Sequence, residues 1–564
     1  MSAVPQKANL TQIEDKAQDQ AGIRSVGAVA LPTAAIAGTG KDVTLLHWAW
    51  NSQMGLMFAN GGPDSTVGSL MSQNGVNLHL VRQDDVNQMQ LALIKFAQKL
   101  KDGDLQPREG ANFVAIMGDG AGAFLAGVNP QLAKIGPEYQ AEIIGSCGYS
   151  RGEDKFMGPI EWKNNPEKAR GGLVSGFLRD GDWNIAIKWA GDNNIPVNPD
   201  ERTYDPNAMN WYAANDYIDA AQKYVTNYSE DRPEVINGKR TGRKVHVTIQ
   251  GVVTWTPGDV IVATEKGGLV SIVSTREYYW QMPNAIIGIK KWNSDNSSTV
   301  VSMLDAIFKG GDQVKNYPNA LRKAAEISDV VYHEKNTGPE YWEKYYRGTT
   351  ETDIQKYQVE LGGSYANNLA DNMYLFGLFP GSANILASTY QVYGNLVVQL
   401  YPKLVPSIPA PSEVINGSYV RILANKAQNT SIASAEAPRY SAAPMKDVVS
   451  KKSYAINFQT GSAELTEEAR RVLEEIYNKT LVTSLTMEVH GHTDSTGSEE
   501  ANLILSDKRA KAVKAYLQNK SMANFPNERI RIFPHGQNDP VATNDSEAGR
   551  YQNRRVVIVL GTIS

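Results

Sequence analysis

Cysteine is nearly missing from this chain. Cys147 is the only one in 564 residues, so no intrachain disulfide can form and zinc frameworks built on several cysteines are excluded. Neither sign of charge dominates: 56 Lys and Arg stand against 60 Asp and Glu, a net charge of -4, and no broad positive field exists to hold nucleic acid or an anionic membrane. Long apolar runs are lacking too. The opening MSAVPQKANLTQIEDKAQDQ is polar, without the basic-then-apolar order of a secretory signal, and the small-residue stretch from Ser25 to Gly38 is broken by Pro32. No membrane span is expected. The patterns H-E-x-x-H and G-x-x-x-x-G-K-[ST] are absent and Cys147 has no recognisable histidine partner, so the expectation is a protein that is not an enzyme and takes no cofactor.

What is there is enough chain for several domains. Residues 1–41 read as a flexible leader, charged in its first half and Ala/Gly-rich in its second. From Val43 short apolar runs alternate with helical patterns up to about residue 405: strands are expected at 43–48, 113–117, 142–144, 172–177 and 244–253, and an amphipathic helix at 88–100. That rhythm implies an α/β module with largely parallel, buried strands. Between 406 and 450 the composition shifts to Ser, Ala and Pro (PSIPAPS, then NTSIASAEAPRYSAAP), which reads as a linker, and residues 451–564 are left as a compact last domain.

In that last domain Tyr454, Ile456 and Phe458 alternate as in a half-buried strand, and Thr466 is positioned to cap a helix whose first turn holds Glu467 and Glu468. A second strand with Leu485, Met487 and Val489 inward ends in His490-Gly-His-Thr-Asp494. In the long helical pattern from Glu499 to Lys520, Asn502 and Arg509 fall on one face, and strands at 529–533 and 554–560 complete a small sheet covered by two helices. The segments INFQTGSAEL, HGHTDSTGS, NLILSDKRAKAV, HGQNDP and GRYQNRRVVI, in this order and spacing, resemble the OmpA-like peptidoglycan-binding domain. The resemblance implies that Asp494 and Arg509 hold the diaminopimelate of the wall's stem peptide. One anion and one fork-shaped cation suit a tip that carries an ammonium and a carboxylate. Asn502 and Thr493 lie beside them, and Arg550, Asn553 and Arg554 shape the rim. Alternatives remain at this level: Asp494 and Arg509 as a structural ion pair, and His490, His492 and Asp494 imitating a metal site with no fourth ligand, so that no metal is expected.

The front module carries polar turns after its strands. Asn51 and Ser52 follow the first strand, Ser150 and Arg151 follow the strand at 142–144, Asp180 and Asn184 open a helix after 172–177, and Thr254 and Thr256 close the strand at 244–253. In length and alternation, and in the phrases GYSRGEDKFMGP, RDGDWN and TWTPGD, residues 42–405 resemble the periplasmic solute-binding proteins of ABC transporters. They resemble in particular the phosphate-type modules fused to an OmpA-like domain. This implies two lobes, one at 43–165 and 295–400 and the other at 166–294, with those eight residues in the cleft. Arg151 is the evident partner for an oxyanion, while Asp119, Asp180, Asp182 and Asp259 oppose one, so a polar or zwitterionic solute fits as well as phosphate. The expected function is a wall-anchored binding protein of the periplasm or cell envelope, associated with the outer membrane side of the wall, whose export or anchor segment is not visible. The competing expectation is a scaffold that ties a membrane, injection or phage-associated machine to the wall and no longer binds a solute.

Overall fold

The apolar run after residue 40 forms strand β1 (Lys41–His47). The computed structural model describes residues 26–563, apart from 180, 428–434, 442, 455, 457 and 459–461. Strands β2 (Val76–Arg82) and β3 (Phe113–Met117) flank β1 in parallel, and the fully buried β4 (Ala141–Ser150) lies further along the same sheet. The helix Val86–Lys101 between β2 and β3 starts on Asp85, whose carboxylate accepts from the N–H groups of Asn87 and Gln88. It buries Met89, Leu93, Phe96 and Ala97 on one stripe.

After Ser150 the chain leaves this sheet. It builds a second one from β5 (Lys155–Gly158), β6 (Leu173–Gly176), β7 (Asn210–Ala213), β8 (Ser229–Ile236), β9 (Lys239–Thr254) and β10 (Val270–Ser274). Their order is β10-β5-β9-β6-β7, with β8 antiparallel on β9. The chain then returns as β11 (Pro283–Ile289), inserted antiparallel between β3 and β4. A hairpin of β12 (Thr349–Thr352) and β13 (Gln358–Leu361) precedes the edge strand β14 (Ser364–Ala366), and the first sheet reads β14-β4-β11-β3-β1-β2.

Both sheets are mixed rather than largely parallel. The changes of sheet fall at residues 151–154 and 275–282, not at 165 and 294, because β5 and β11 are short apolar segments beside each crossing. Only register, which composition does not carry, assigns them to a sheet.

Two further expectations are corrected. The first 25 residues of the expected leader lie outside the described residues, but its second half is packed: the Gln313 amide accepts from the Val29 N–H and donates to the Gly27 carbonyl, each at 3.0 Å. The stretch 406–450 is not simply a linker either. It holds the helix Ser418–Lys426, which buries Tyr419, Val420 and Leu423, and Ile415 bridges to Ile143 in β4.

Strand β15 (Met445–Tyr454) then opens the last sheet, completed by β16 (Thr486–His492), β17 (Ile530–Gly536) and β18 (Val556–Ile563) in the order β15-β18-β16-β17. Thr466 and Ser498 cap the helices Glu467–Leu481 and Glu499–Lys520 through their hydroxyls, each with two glutamates in the first turn favourable to the helix dipole. The second helix lies close on β16: a methyl group at Gly491 would meet the Ser506 carbonyl at 2.4 Å.

This carboxy-terminal unit is docked on the helices and connecting segments of the front module. The Trp280 N–H donates to the Val482 carbonyl at 3.1 Å and the Ser484 N–H to the Glu277 carbonyl at 3.0 Å. Asn193 donates to the Val449 carbonyl at 3.1 Å, Asn524 bonds the Ala383 N–H at 3.0 Å and the Tyr374 hydroxyl at 2.8 Å, and Ser521 donates to the Gly381 carbonyl at 2.9 Å. One apolar core runs through both units. Among the described residues no helix is long and apolar enough to cross a membrane.

Candidate functional site

Three elements of the carboxy-terminal unit converge on a cleft of about 670 Å³. Thr493 and Asp494 come from the end of β16, Asn502, Lys508 and Arg509 from the helix Glu499–Lys520, and Arg554 from the end of the helix Glu547–Asn553. Asp494 is almost fully buried, yet its oxygens are served: one accepts from the Thr496 N–H at 2.9 Å, the other from Arg554 Nη1 at 2.6 Å. Burial opposes its ionisation, but the bonds from Arg554 and Thr496 outweigh that and hold the carboxyl below its usual range. Arg554 also donates to Glu547 at 2.7 Å. These two carboxylate contacts outweigh its own desolvation and raise its pKa.

Arg509 is 2% exposed, with its guanidinium 5.0 Å from the Phe458 ring centre and Nε donating to the Ser462 carbonyl at 3.2 Å. Burial depresses its pKa to about 10, opposed by the charge of Asp494. Asn502 donates to the Gln537 side chain at 2.8 Å. The Thr493 hydroxyl is buried without a hydrogen-bond partner among the described residues. The cleft thus sets one carboxylate against the cations of Lys508, Arg509 and Arg554. It can pair an ammonium with Asp494 and carboxylates with the arginines.

Residues 457–554 match the OmpA family. Among curated relatives, outer membrane protein A of Bordetella avium is 36% identical over 127 residues, 22% of this chain and 62% of that protein. The peptidoglycan-associated lipoprotein of Pseudomonas aeruginosa is 36% identical over 100 residues, 18% of this chain and 57% of that protein. The chain therefore spans less than two thirds of either relative, and both matches cover a minor part of it. A solved cell wall anchor of the type VI secretion system from Pseudomonas aeruginosa is 26% identical, covering 21% of this chain and 87% of that one at a TM-score of 0.18.

Within the OmpA-family segment, Arg554 is the ion-pair partner of Asp494, a role that the sequence reading did not give it. Arg550 lies outside the cleft lining and bonds Glu547 and the Asn544 carbonyl, each at 2.9 Å. His490 shares a hydrogen bond of 2.8 Å with His535, on which His492 stacks at 4.7 Å.

In the front module the residues expected in a cleft are drawn into a buried polar network. Asn51, Ser52, Ser150, Asn184, Thr254 and Thr256 are all wholly buried, and Asp180 lies outside the described residues. Asn51 donates to Glu153 at 3.2 Å, Asn284 to Ser52 at 3.1 Å, Asn184 to Asp119 at 3.3 Å, Thr254 to the Tyr217 carbonyl at 2.9 Å and Thr256 to Asp259 at 2.9 Å. Arg151 is half-buried, its guanidinium 4.2 Å from the Tyr149 ring and 3.5 Å from that of Tyr279, and it donates to the carbonyls of Ser150 and Tyr279.

Gly148 to Gly152 spell G-x-S-x-G, the spacing of a serine nucleophile at a strand-to-helix turn. Here, however, Ser150 ends a strand that leads into another strand, and its hydroxyl is engaged by Thr275 at 2.6 Å and the Asp154 N–H at 3.0 Å. Among the described residues no histidine is its partner. Lys155, paired with Asp259, sits among Glu153, Asp154 and Asp259. Burial pushes the Glu153 carboxyl well up and that of Asp154 to about 6.

Proposed function

We propose that this protein is a non-enzymatic, cell-wall-anchored binding protein whose carboxy-terminal unit holds the stem peptide of peptidoglycan by its diaminopimelate. The observation that carries the reading is the cleft in which buried Asp494 and Arg509 line one wall system with Arg554. Diaminopimelate in a stem peptide offers one ammonium and one carboxylate at its tip. Asp494 receives the ammonium, Arg509 the carboxylate, and Arg554 keeps Asp494 ionised while adding a second cation. Asn502 and Thr493 supply polar contacts to the peptide backbone. The matched OmpA-family segment and the relatives named for peptidoglycan association support this reading, and with it residence in the periplasm or envelope.

A charge-assisted hydrogen bond contributes about 1.5–3 kcal/mol, so Asp494→Ala or Arg509→Ala is expected to weaken retention of the full chain on purified sacculi at least ~tenfold. Undiminished retention of both variants would remove the assignment.

The front module is proposed as a two-lobed solute binder, with the residues of each sheet forming one lobe. The scaffold reading has one observation in its favour: the cleft residues expected from sequence bond one another and are fully buried. A response of the full chain to small solutes in thermal-shift screening separates the two.

A further inference from the structure

A second cavity, of about 210 Å³, opens where the carboxyl ends of strands from both front sheets face each other, beside the buried network, which reaches it through the bond from Thr254 to the Tyr217 carbonyl. Trp48 follows β1, Arg82 ends β2, Tyr217 follows β7 and Trp255 follows β9, and all four line it. Its wall is aromatic: Trp255 stacks on Tyr217 with ring centres 3.8 Å apart and 21° between planes, and on Trp48 at 6.3 Å and 23°.

Besides the neutral Phe177, Asn215 and Ile218, the lining sets Asp84, Asp216 and Glu334 against Arg82, the one cation of the lining among the described residues. That cation is already committed. Its Nε donates to Asp84 at 2.8 Å, its Nη2 lies 2.7 Å from Asp84 and 2.8 Å from Glu334, and its Nη1 donates to the Tyr332 carbonyl. An incoming anion would meet three carboxylates and no unengaged fork. The indole N–H of Trp48, by contrast, is buried with no hydrogen-bond partner among the described residues, a donor in a wall otherwise rich in acceptors.

We infer that this cavity binds a small organic cation, an amine or quaternary ammonium, held against the aromatic wall of Trp48, Tyr217 and Trp255 by the excess negative charge of Asp84, Asp216 and Glu334 over Arg82. The inference rests on the proposed solute-binding reading of the front module and replaces the oxyanion with a cation. Aromatic faces attract cations through their quadrupole, more strongly once water is displaced. The net negative lining adds a field of the same preference. The volume lies below the range of sites for drug-sized ligands, which suits a metabolite rather than a peptide. A compact metal ion would use the carboxylates but not the aromatic faces.

The test uses the full chain and isothermal titration with choline, putrescine, inorganic phosphate and calcium. Choline or putrescine is expected to bind, with affinity reduced about threefold or more by Asp84→Asn and about tenfold by Trp255→Leu. Asp84 is 45% exposed and its neutralisation leaves the core untouched, so a folding failure of the tryptophan variant does not blunt the test. Amine binding that neither substitution weakens overturns the site. Binding of phosphate or calcium without an amine overturns the cation class yet leaves solute binding standing. Silence with all four ligands overturns both and leaves the scaffold.

Discussion

Arg554, together with Thr496, holds the Asp494 carboxyl below its usual range, and that role separates the two arginines of the cleft. Arg509 is buried and bonded to the Ser462 carbonyl, so losing it removes the proposed ligand contact and part of the wall at once. Losing Arg554 chiefly frees the carboxyl of Asp494 to rise from its depressed value. Arg554→Gln is therefore expected to weaken sacculus retention most at acidic pH, where Asp494 becomes protonated, and Arg509→Gln to weaken it at every pH. Retention measured from pH 4 to 8 checks the contrast, and parallel profiles would reject it.

A second residue-scale expectation concerns His492. Burial first, then the charges of Arg555 and His535, depress its pKa from the ordinary 6.5 to about 3. The unfolded chain therefore binds the proton that the folded chain refuses. The stability linked to this histidine is complete above about pH 6.5 and is lost as pH falls toward 3, at up to ~1.4 kcal/mol per unit. Urea unfolding of the full chain and of His492→Gln is expected to show a gap that shrinks by up to ~2 kcal/mol between pH 7 and 5. A gap independent of pH would count against it.

At the scale of elements, the site depends on how closely the strand carrying Asp494 approaches the helix carrying Arg509. Gly491 sets that distance, since a Cβ there would stand 2.4 Å from backbone of the helix. Backbone cannot swing aside as a long side chain can, so Gly491→Ala is expected to cost about 1–3 kcal/mol by overpacking and to lower sacculus retention along with it. Chemical denaturation and the pull-down read the two effects, and a variant of unchanged stability would show that the helix has room to move.

The same elements mark how far sequence reaches. Thr466, the inward set Leu485, Met487 and Val489, and the shared face of Asn502 and Arg509 were legible because caps and periods of two and 3.6 residues are local signals. The pairing of Arg554 with Asp494 was not. It joins residues 60 apart through the order of strands β16 and β18, which no local period encodes. The helix Ser418–Lys426 was hidden for another reason: its short apolar set of Tyr419, Val420 and Leu423 lies between two stretches rich in Ser, Ala and Pro. In the front module, the apolar runs announced the strands, but Ser150 and Thr254, expected in turns, end strands β4 and β9, and nothing local told that these polar residues would be buried.

For the whole molecule the docking of the carboxy-terminal unit matters most. It touches the second sheet's side through Asn193, the segment between the sheets through Glu277 and Trp280, and the first sheet's side through Tyr374, Gly381 and Ala383. Arg529 backs this surface from within: it is 1% exposed, spends its guanidinium on the carbonyls of Leu485, Asn524, Thr480 and Thr483, and lies 5.1 Å from the Tyr440 ring. A unit on a free tether would melt by itself, whereas one that shares a core with its neighbour loses that core when either part opens. Calorimetry of the full chain is accordingly expected to give one cooperative transition. Asn524→Ala, which removes the bonds to Ala383 and Tyr374, is expected to lower stability by about 1–3 kcal/mol and to begin splitting that transition. Two separate peaks in the unaltered chain would mean that wall binding and the front module are energetically independent. A single peak would mean that a peptidoglycan fragment, by stabilising its own cleft, also stabilises the front module that shares its core.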